Sequence, residues 1–275
     1  MKSSQISAMG GVKMEITMSL DNQKVLLVGA ATGIGLSTLE SLLRAGARVI
    51  VADHKLKLLE KNTQALAKEY PKQFECHWLD LADQVKVLES VDAWQQQGLF
   101  NHLVCCAGML HVGPLHELPM STIKQTFDVN TFGVLALMQA IAKTMKTRGS
   151  GSMVIVGSNA ANTPRQSIGA YGASKSALHM MVKCMGIELA PFGIRCNIVS
   201  PGSTDTPMQR QLWTESYGEK EVIEGDINQF RLGIPLAKLA QPEDIANAIL
   251  FLLSKAASHI TMHDLRVDGG ATLDN

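Results

Sequence analysis

KVLLVGAATGIG, residues 24–35, joins a short apolar run to a glycine-rich turn and then to the start of an amphipathic stretch, Gly33–Ala45. An apolar run of this length, rich in Val and Leu, reads as a strand buried on both faces. Gly29 permits a tight turn, Gly33 lets backbone approach a phosphate, and Gly35, beyond Ile34, allows the following helix to pack closely. A helix that opens straight from such a turn offers unpaired N–H groups to a pyrophosphate. Asp53 ends the next apolar run, RVIVA, eighteen residues after Gly35. A carboxylate there accepts both ribose hydroxyls of NAD and repels the 2′-phosphate of NADP. Ala30, Ala31 and Thr32 supply no cation that would reverse this preference, although His54 and Lys55 follow close behind.

The same rhythm continues outward. Strand-like runs at Lys24–Val28, Arg48–Ala52, Phe74–Leu79, Leu103–Cys106, Ser152–Val156, Arg195–Val199 and Leu265–Val267 alternate with helical patterns. The helices are expected at Gly33–Ala45, Lys55–Lys68, Asp83–Gln97, Ser121–Asp128, Asn130–Lys146, Tyr171–Ala190 and Pro242–Leu253. Alternation of this kind predicts an α/β fold, a Rossmann-type doubly wound parallel sheet of about seven strands with helices on both faces. Residues 21–275 read as a single dinucleotide-binding catalytic domain, and residues 1–20 as a disordered N-terminal extension. The break in the rhythm is 204–239, a long polar stretch with helical pieces. An insertion beside the carboxyl ends of the strands is where a substrate lid would sit.

Composition narrows the function. The 275 residues carry a formal net charge of zero with cations scattered, which argues against nucleic acid or a membrane surface as partner. No apolar run approaches a membrane span, and the first twenty residues lack the apolar core of a secretory signal. Cys76, Cys105, Cys106, Cys184 and Cys196 form no C-x-x-C pair, so free thiols in a reducing cytoplasm are expected. The eight histidines show no metal-binding spacing, and no metal is expected.

Tyr171 and Lys175, in YGASK, stand four apart and share a helical face. A tyrosine with an ordinary pKa near 10 is too weak a base at neutral pH, and an ammonium nearby favours its phenolate. Ser158 follows the SMVIV run, thirteen residues upstream of Tyr171, where its hydroxyl could steady charge on a substrate oxygen.

The glycine-rich turn, Ser158 and YGASK, in this order and at these distances, resemble the short-chain dehydrogenase/reductase family over nearly the whole chain. The resemblance implies a nicotinamide-dependent oxidoreductase with Tyr171, Lys175, Ser158 and Asn130 as its catalytic set. Lys175 would also bind the nicotinamide ribose, and Asn130, in DVNTFG, would hold a water beside the lysine. It further implies that Asp80 and Leu81 flank the adenine. Ala107 and Gly108 would line the turn after the fourth strand, and Pro201, Thr204 and Thr206 would hold the nicotinamide carboxamide. Two departures stand out. Val28 replaces the family's threonine, and Cys105-Cys106 replace two asparagines before Ala107-Gly108, which leaves open what braces that turn.

The segments NTPR (162–165), IRCNIVSPGSTDTPMQRQLW (194–213) and QFRLGIPLAKLA (229–240) are similar to those of family members that oxidise a small, non-aromatic ring carboxylate, the precursor of an aromatic acid. That resemblance implies a pocket cation. Arg165 and Arg210 are the candidates for a carboxylate clamp, with Gln209 as a hydroxyl partner. Family members form homotetramers, and the same is expected here. A reductase of acyl-carrier substrates using NADPH, and a non-catalytic module of the same fold, remain open readings at this point.

Overall fold

The computed structural model describes residues 18–273. Most of the segment expected to extend from the N-terminus, 1–17, lies outside the described residues. Leu20 is buried, and its N–H bonds the Ala45 carbonyl. Seven parallel strands form one sheet in the order β3-β2-β1-β4-β5-β6-β7. They are β1 (Lys24–Val28), β2 (Arg48–Asp53), β3 (Phe74–Trp78), β4 (His102–Cys105), β5 (Gly151–Val156), β6 (Ile194–Pro201) and β7 (Asp264–Val267).

Alternation along β1 divides the core. Leu26 and Val28 pack on one face with Phe100, Leu103 and Leu137, and Val25 and Leu27 on the other with Leu39, Leu42 and Ile249. Each such buried side chain contributes roughly 1.5–3 kcal/mol. The first face is covered by α4 (Gln84–Gln95), α6 (Val134–Arg148) and α7 (Gly169–Leu189). The second is covered by α1 (Gly33–Arg44) and α10 (Pro242–Leu253), which pack against each other.

Two helical expectations need correction. Lys55–Lys68 is not one helix but two, α2 (Leu56–Asn62) and α3 (Gln64–Glu69). The Thr63 hydroxyl donates to the Leu59 carbonyl at 2.9 Å, and this back-bonding of a β-branched residue disturbs the helix. The break leaves Asn62 free to donate to the Ala31 carbonyl at 2.8 Å, tying α2 to the glycine-rich turn. Conversely, the two helices expected at 121–128 and 130–146 are joined. A π-helical turn, Asp128–Gly133, connects α5 (Met120–Phe127) to α6 without a loop.

The polar stretch 204–239 holds α8 (Pro207–Arg210), α9 (Glu219–Glu224) and a small apolar cluster of its own, Val222, Ile234 and Leu239, packed with Trp213 and Tyr217.

Candidate active site

β1 and β4 adjoin in the sheet but not in sequence, so their connections leave in opposite directions and a crevice opens above their carboxyl ends. A cavity of about 610 Å³ occupies it. Gly29, Gly33, Ile34, Gly35 and Asp53 belong to its wall, as do Ser158, Tyr171, Lys175 and Arg165. Asp80, Leu81, Ala107, Gly108, Pro201, Thr204, Thr206 and Gln209 also contribute. Asn130 and Arg210 do not.

The glycine-rich turn fits a dinucleotide. A methyl group on Gly35 would lie 1.9 Å from the Gly29 carbonyl oxygen, and one on Gly29 would lie 2.3 Å from the Ala107 nitrogen. Gly29 also has a φ of 86°, which side chains rarely tolerate. Thr32, the N-cap of α1, makes no side-chain cap, and no acidic residue stands in the first turn. The first N–H groups of α1 therefore remain available to an anion. Asp53 is buried, and its two oxygens accept from the N–H groups of Ala31 and Lys55, each at 2.9 Å. The carboxylate thus braces the turn from the cavity wall; Oδ1 also meets His54 Nδ1 at 3.2 Å, and Oδ2 keeps capacity for a ribose hydroxyl. Thr206 uses its hydroxyl to cap α8, accepting from the Gln209 N–H at 3.2 Å.

At the other end, α7 lies along the end of β5. Lys175 donates from Nζ to the Val156 carbonyl at 2.8 Å, and its Nζ is 5.9 Å from the centre of the Tyr171 ring. Burial pushes the Tyr171 phenol above its ordinary pKa, and its hydrogen bond with Ser158 opposes this. In the protein alone, loss of water outweighs that hydrogen bond.

Burial also lowers Lys175 from 10.5 to about 8. Between those values the unfolded chain holds a proton that the folded chain has released, so stability from this group rises with pH across that window. Below it the buried charge opposes folding. Without dinucleotide, Lys175→Met should melt above the unsubstituted protein at pH 7, and calorimetry should show that gap narrowing as pH approaches 10. A gap that does not change with pH would remove the assignment.

Sequence reading missed His179. It stands four residues beyond Lys175 on α7, buried, with Nε2 accepting from the Ser158 N–H at 3.3 Å. Its Nδ1 is 3.2 Å from Asp264 Oδ2, which fixes the ring, and Ser200 donates to the other oxygen of Asp264. The signal available was the four-residue spacing of Tyr171, Lys175 and His179.

Asn130 is fully buried and held by its neighbours. Its amide accepts from the Met109 N–H at 2.8 Å and donates to the Met109 carbonyl at 2.9 Å and to Ser174 Oγ at 3.0 Å. The side chain thus clamps the backbone just after Gly108. This is the brace that the missing family asparagines left in question. Cys105 and Cys106 are held protonated by burial, with pKa values pushed up to about 11 and about 12, and supply no nucleophile.

Of the two arginines picked as carboxylate partners, Arg165 lies in the cavity wall, largely buried, with no partner for its Nε. Arg210 is corrected. Its guanidinium makes a bidentate pair with Asp205, at 2.9 and 3.0 Å, on an exposed face outside the cavity. A second cation that sequence reading passed over, Arg231, stands in the wall instead.

A family model described as enoyl-(acyl carrier protein) reductase matches residues 29–272. The chain belongs to the short-chain dehydrogenase/reductase family of oxidoreductases. Within it, the chain is 65% identical to the vibriobactin-specific 2,3-dihydro-2,3-dihydroxybenzoate dehydrogenase of Vibrio cholerae, over 94% of this chain and 99% of that protein. It is 44% identical to the 2,3-dihydro-2,3-dihydroxybenzoate dehydrogenase of Bacillus subtilis, over 92% of this chain and 97% of the relative. Among solved structures, a gluconate 5-dehydrogenase from Burkholderia cenocepacia in complex with NADP and tartrate matches with a TM-score of 0.84 and 26% identity, covering 93% of this chain and 97% of that one.

Proposed function

We propose that this chain oxidises 2,3-dihydro-2,3-dihydroxybenzoate to 2,3-dihydroxybenzoate with NAD, as a homotetramer in the cytoplasm, in the making of a catechol siderophore. The observation that carries the reading is 65% identity to a dehydrogenase of that substrate across 94% of the chain, which takes in the segment walling the cavity. Arg165, in the wall of the cavity that also holds Ser158 and Tyr171, agrees with a substrate that bears a carboxylate and reacts at a hydroxyl. A solved relative holds NADP, so the fold alone does not choose the dinucleotide. The preference for NAD rests on the buried carboxylate of Asp53. Exposed Met180 and Ile187 on the outer side of α7 support a subunit contact, and five free cysteines support a reducing compartment.

NAD, when bound, supplies the acceptor for the hydride leaving the alcohol carbon. Tyr171 takes the hydroxyl proton, and Ser158 hydrogen-bonds the same oxygen and holds it in line. Lys175, anchored on Val156, adds positive charge behind the phenol as it ionises. The enone so formed loses a ring proton to give the catechol, and aromatisation makes the sequence favourable. Segment 204–239 acts as the lid.

The test is dinucleotide reduction by purified protein, of tetramer mass by light scattering, given 2,3-dihydro-2,3-dihydroxybenzoate. Rapid reduction of NAD and slow reduction of NADP is expected. No turnover of this diol would sink the substrate assignment, and equal rates would sink the role of Asp53.

A further inference from the structure

The lid contributes a cation to the cavity wall that the family motifs do not mark. Arg231 sits on a strap closed by paired backbone bonds with Asp226, at 2.9 and 3.0 Å. Its guanidinium donates to the Tyr217 hydroxyl and lies 5.3 Å from the centre of that ring. Its Nε is buried with no partner. Arg165 enters the same cavity from the loop between β5 and α7, and its Nε is likewise buried and unpartnered. The Arg231 guanidinium is close enough for its charge to bear on Arg165.

Nearby negative charge is scarce. Asp268 opposes the repulsion, but its oxygens already accept from Asn159 at 3.2 Å and the Gly270 N–H at 3.0 Å. Two cations against one carboxylate leave the positive charge of this part of the cavity wall incompletely balanced. Such an arrangement costs stability unless something anionic completes it. Tyr217 acts as a prop, holding the Arg231 fork by hydrogen bond and ring face. Arg210, twenty-one residues earlier in the same segment, shows what an arginine there does with an acidic neighbour: it pairs outward. No ion pair of that kind engages Arg231 among the described residues.

We propose that Arg231 is the lid half of a carboxylate clamp: with Arg165 it grips the carboxylate of the substrate, and Tyr217 positions it to do so. This rests on the functional reading above for the substrate's identity, but not for its charge. The clamp joins the body of the protein, through Arg165, to the lid, through Arg231. The anion would therefore hold the lid down as well as orient the ring, and a neutral diol would lose both effects.

The experiment is equilibrium binding of 2,3-dihydroxybenzoate and of catechol, the same ring without the carboxylate, to the NAD-loaded protein. The unsubstituted protein should prefer the acid. Arg231→Gln should weaken binding of the acid about 100-fold and leave catechol within about threefold. Tyr217→Phe should weaken the acid by a smaller factor with catechol unchanged. Because both arginines would grip one group, the losses in Arg165→Gln and Arg231→Gln should fall short of additive in the double variant. Equal losses for acid and catechol, no loss for either, or an unsubstituted protein indifferent to the carboxylate would each overturn the clamp. Turnover is scored separately. Carboxylate-selective binding without oxidation of the diol acid would keep the clamp and remove the proposed reaction.

Discussion

Tyr171→Phe lowers kcat for the diol by roughly a thousandfold or more, the scale of a lost acid–base group, while the affinity for NADH stays within about twofold, since the phosphate and adenosine-ribose cradle is built from the glycine-rich turn and Asp53. Burial holds the phenol protonated in the protein alone. The base must therefore be generated in the loaded site, and kcat/KM of the unsubstituted enzyme should rise with pH as the phenol ionises. That rise should vanish from any residual activity of the variant. Stopped-flow turnover and dinucleotide fluorescence measure the two quantities. A variant that keeps a tenth of the activity, or the same pH profile, shows that another group carries the proton.

Gly35→Ala is expected to lose both stability and the dinucleotide. Its new methyl would stand 1.9 Å from the Gly29 carbonyl oxygen and 2.8 Å from the Ala30 Cα, both backbone atoms in the tightest part of the turn. Relief requires α1 to lift from the turn, at about 3 kcal/mol, the upper range for overpacking. For a domain of this size that lowers Tm by about 6–12 °C. The lift also moves the N–H groups that meet the pyrophosphate, so NAD affinity should fall at least about tenfold. Gly108→Ala is the contrast. Its methyl would meet only ordinary contacts, 3.5 Å from Asn130 Oδ1 and Lys175 Nζ, so Tm should move by only about 1–2 °C. Calorimetry and isothermal titration separate the cases. An unshifted Tm in Gly35→Ala would mean that the turn is far softer than its geometry.

Much of this could be read before the fold was known, for reasons that particular residues make plain. Strands buried on both faces are unbroken apolar runs, so KVLLV and SMVIV declare themselves. Helix interruptions do not. The break at Thr63 depends on a side-chain hydroxyl bonding backbone, and the π turn at 128–133 on the amide of Asn130 reaching Met109, neither of which alters the apolar period. In the site, Tyr171 and Lys175 are legible because a helix makes spacing into geometry. Arg210 and Arg231 lie in a segment without periodicity, so spacing carries no direction there. Asp205, five residues before Arg210, was the one local sign that Arg210 was already paired.

Tyr171, Lys175 and His179 form one stripe along α7, and two of the three hold the backbone at Val156 and Ser158. The serine and the tyrosine are therefore located from a single rigid reference. When α7 shifts with thermal motion, the end of β5 shifts with it, and the displacement is common to both partners. The spacing between the two hydroxyls is thereby shielded from breathing of the rest of the sheet. Residues of 204–239, the proposed lid, can drift across generations without retuning the distance over which the proton moves.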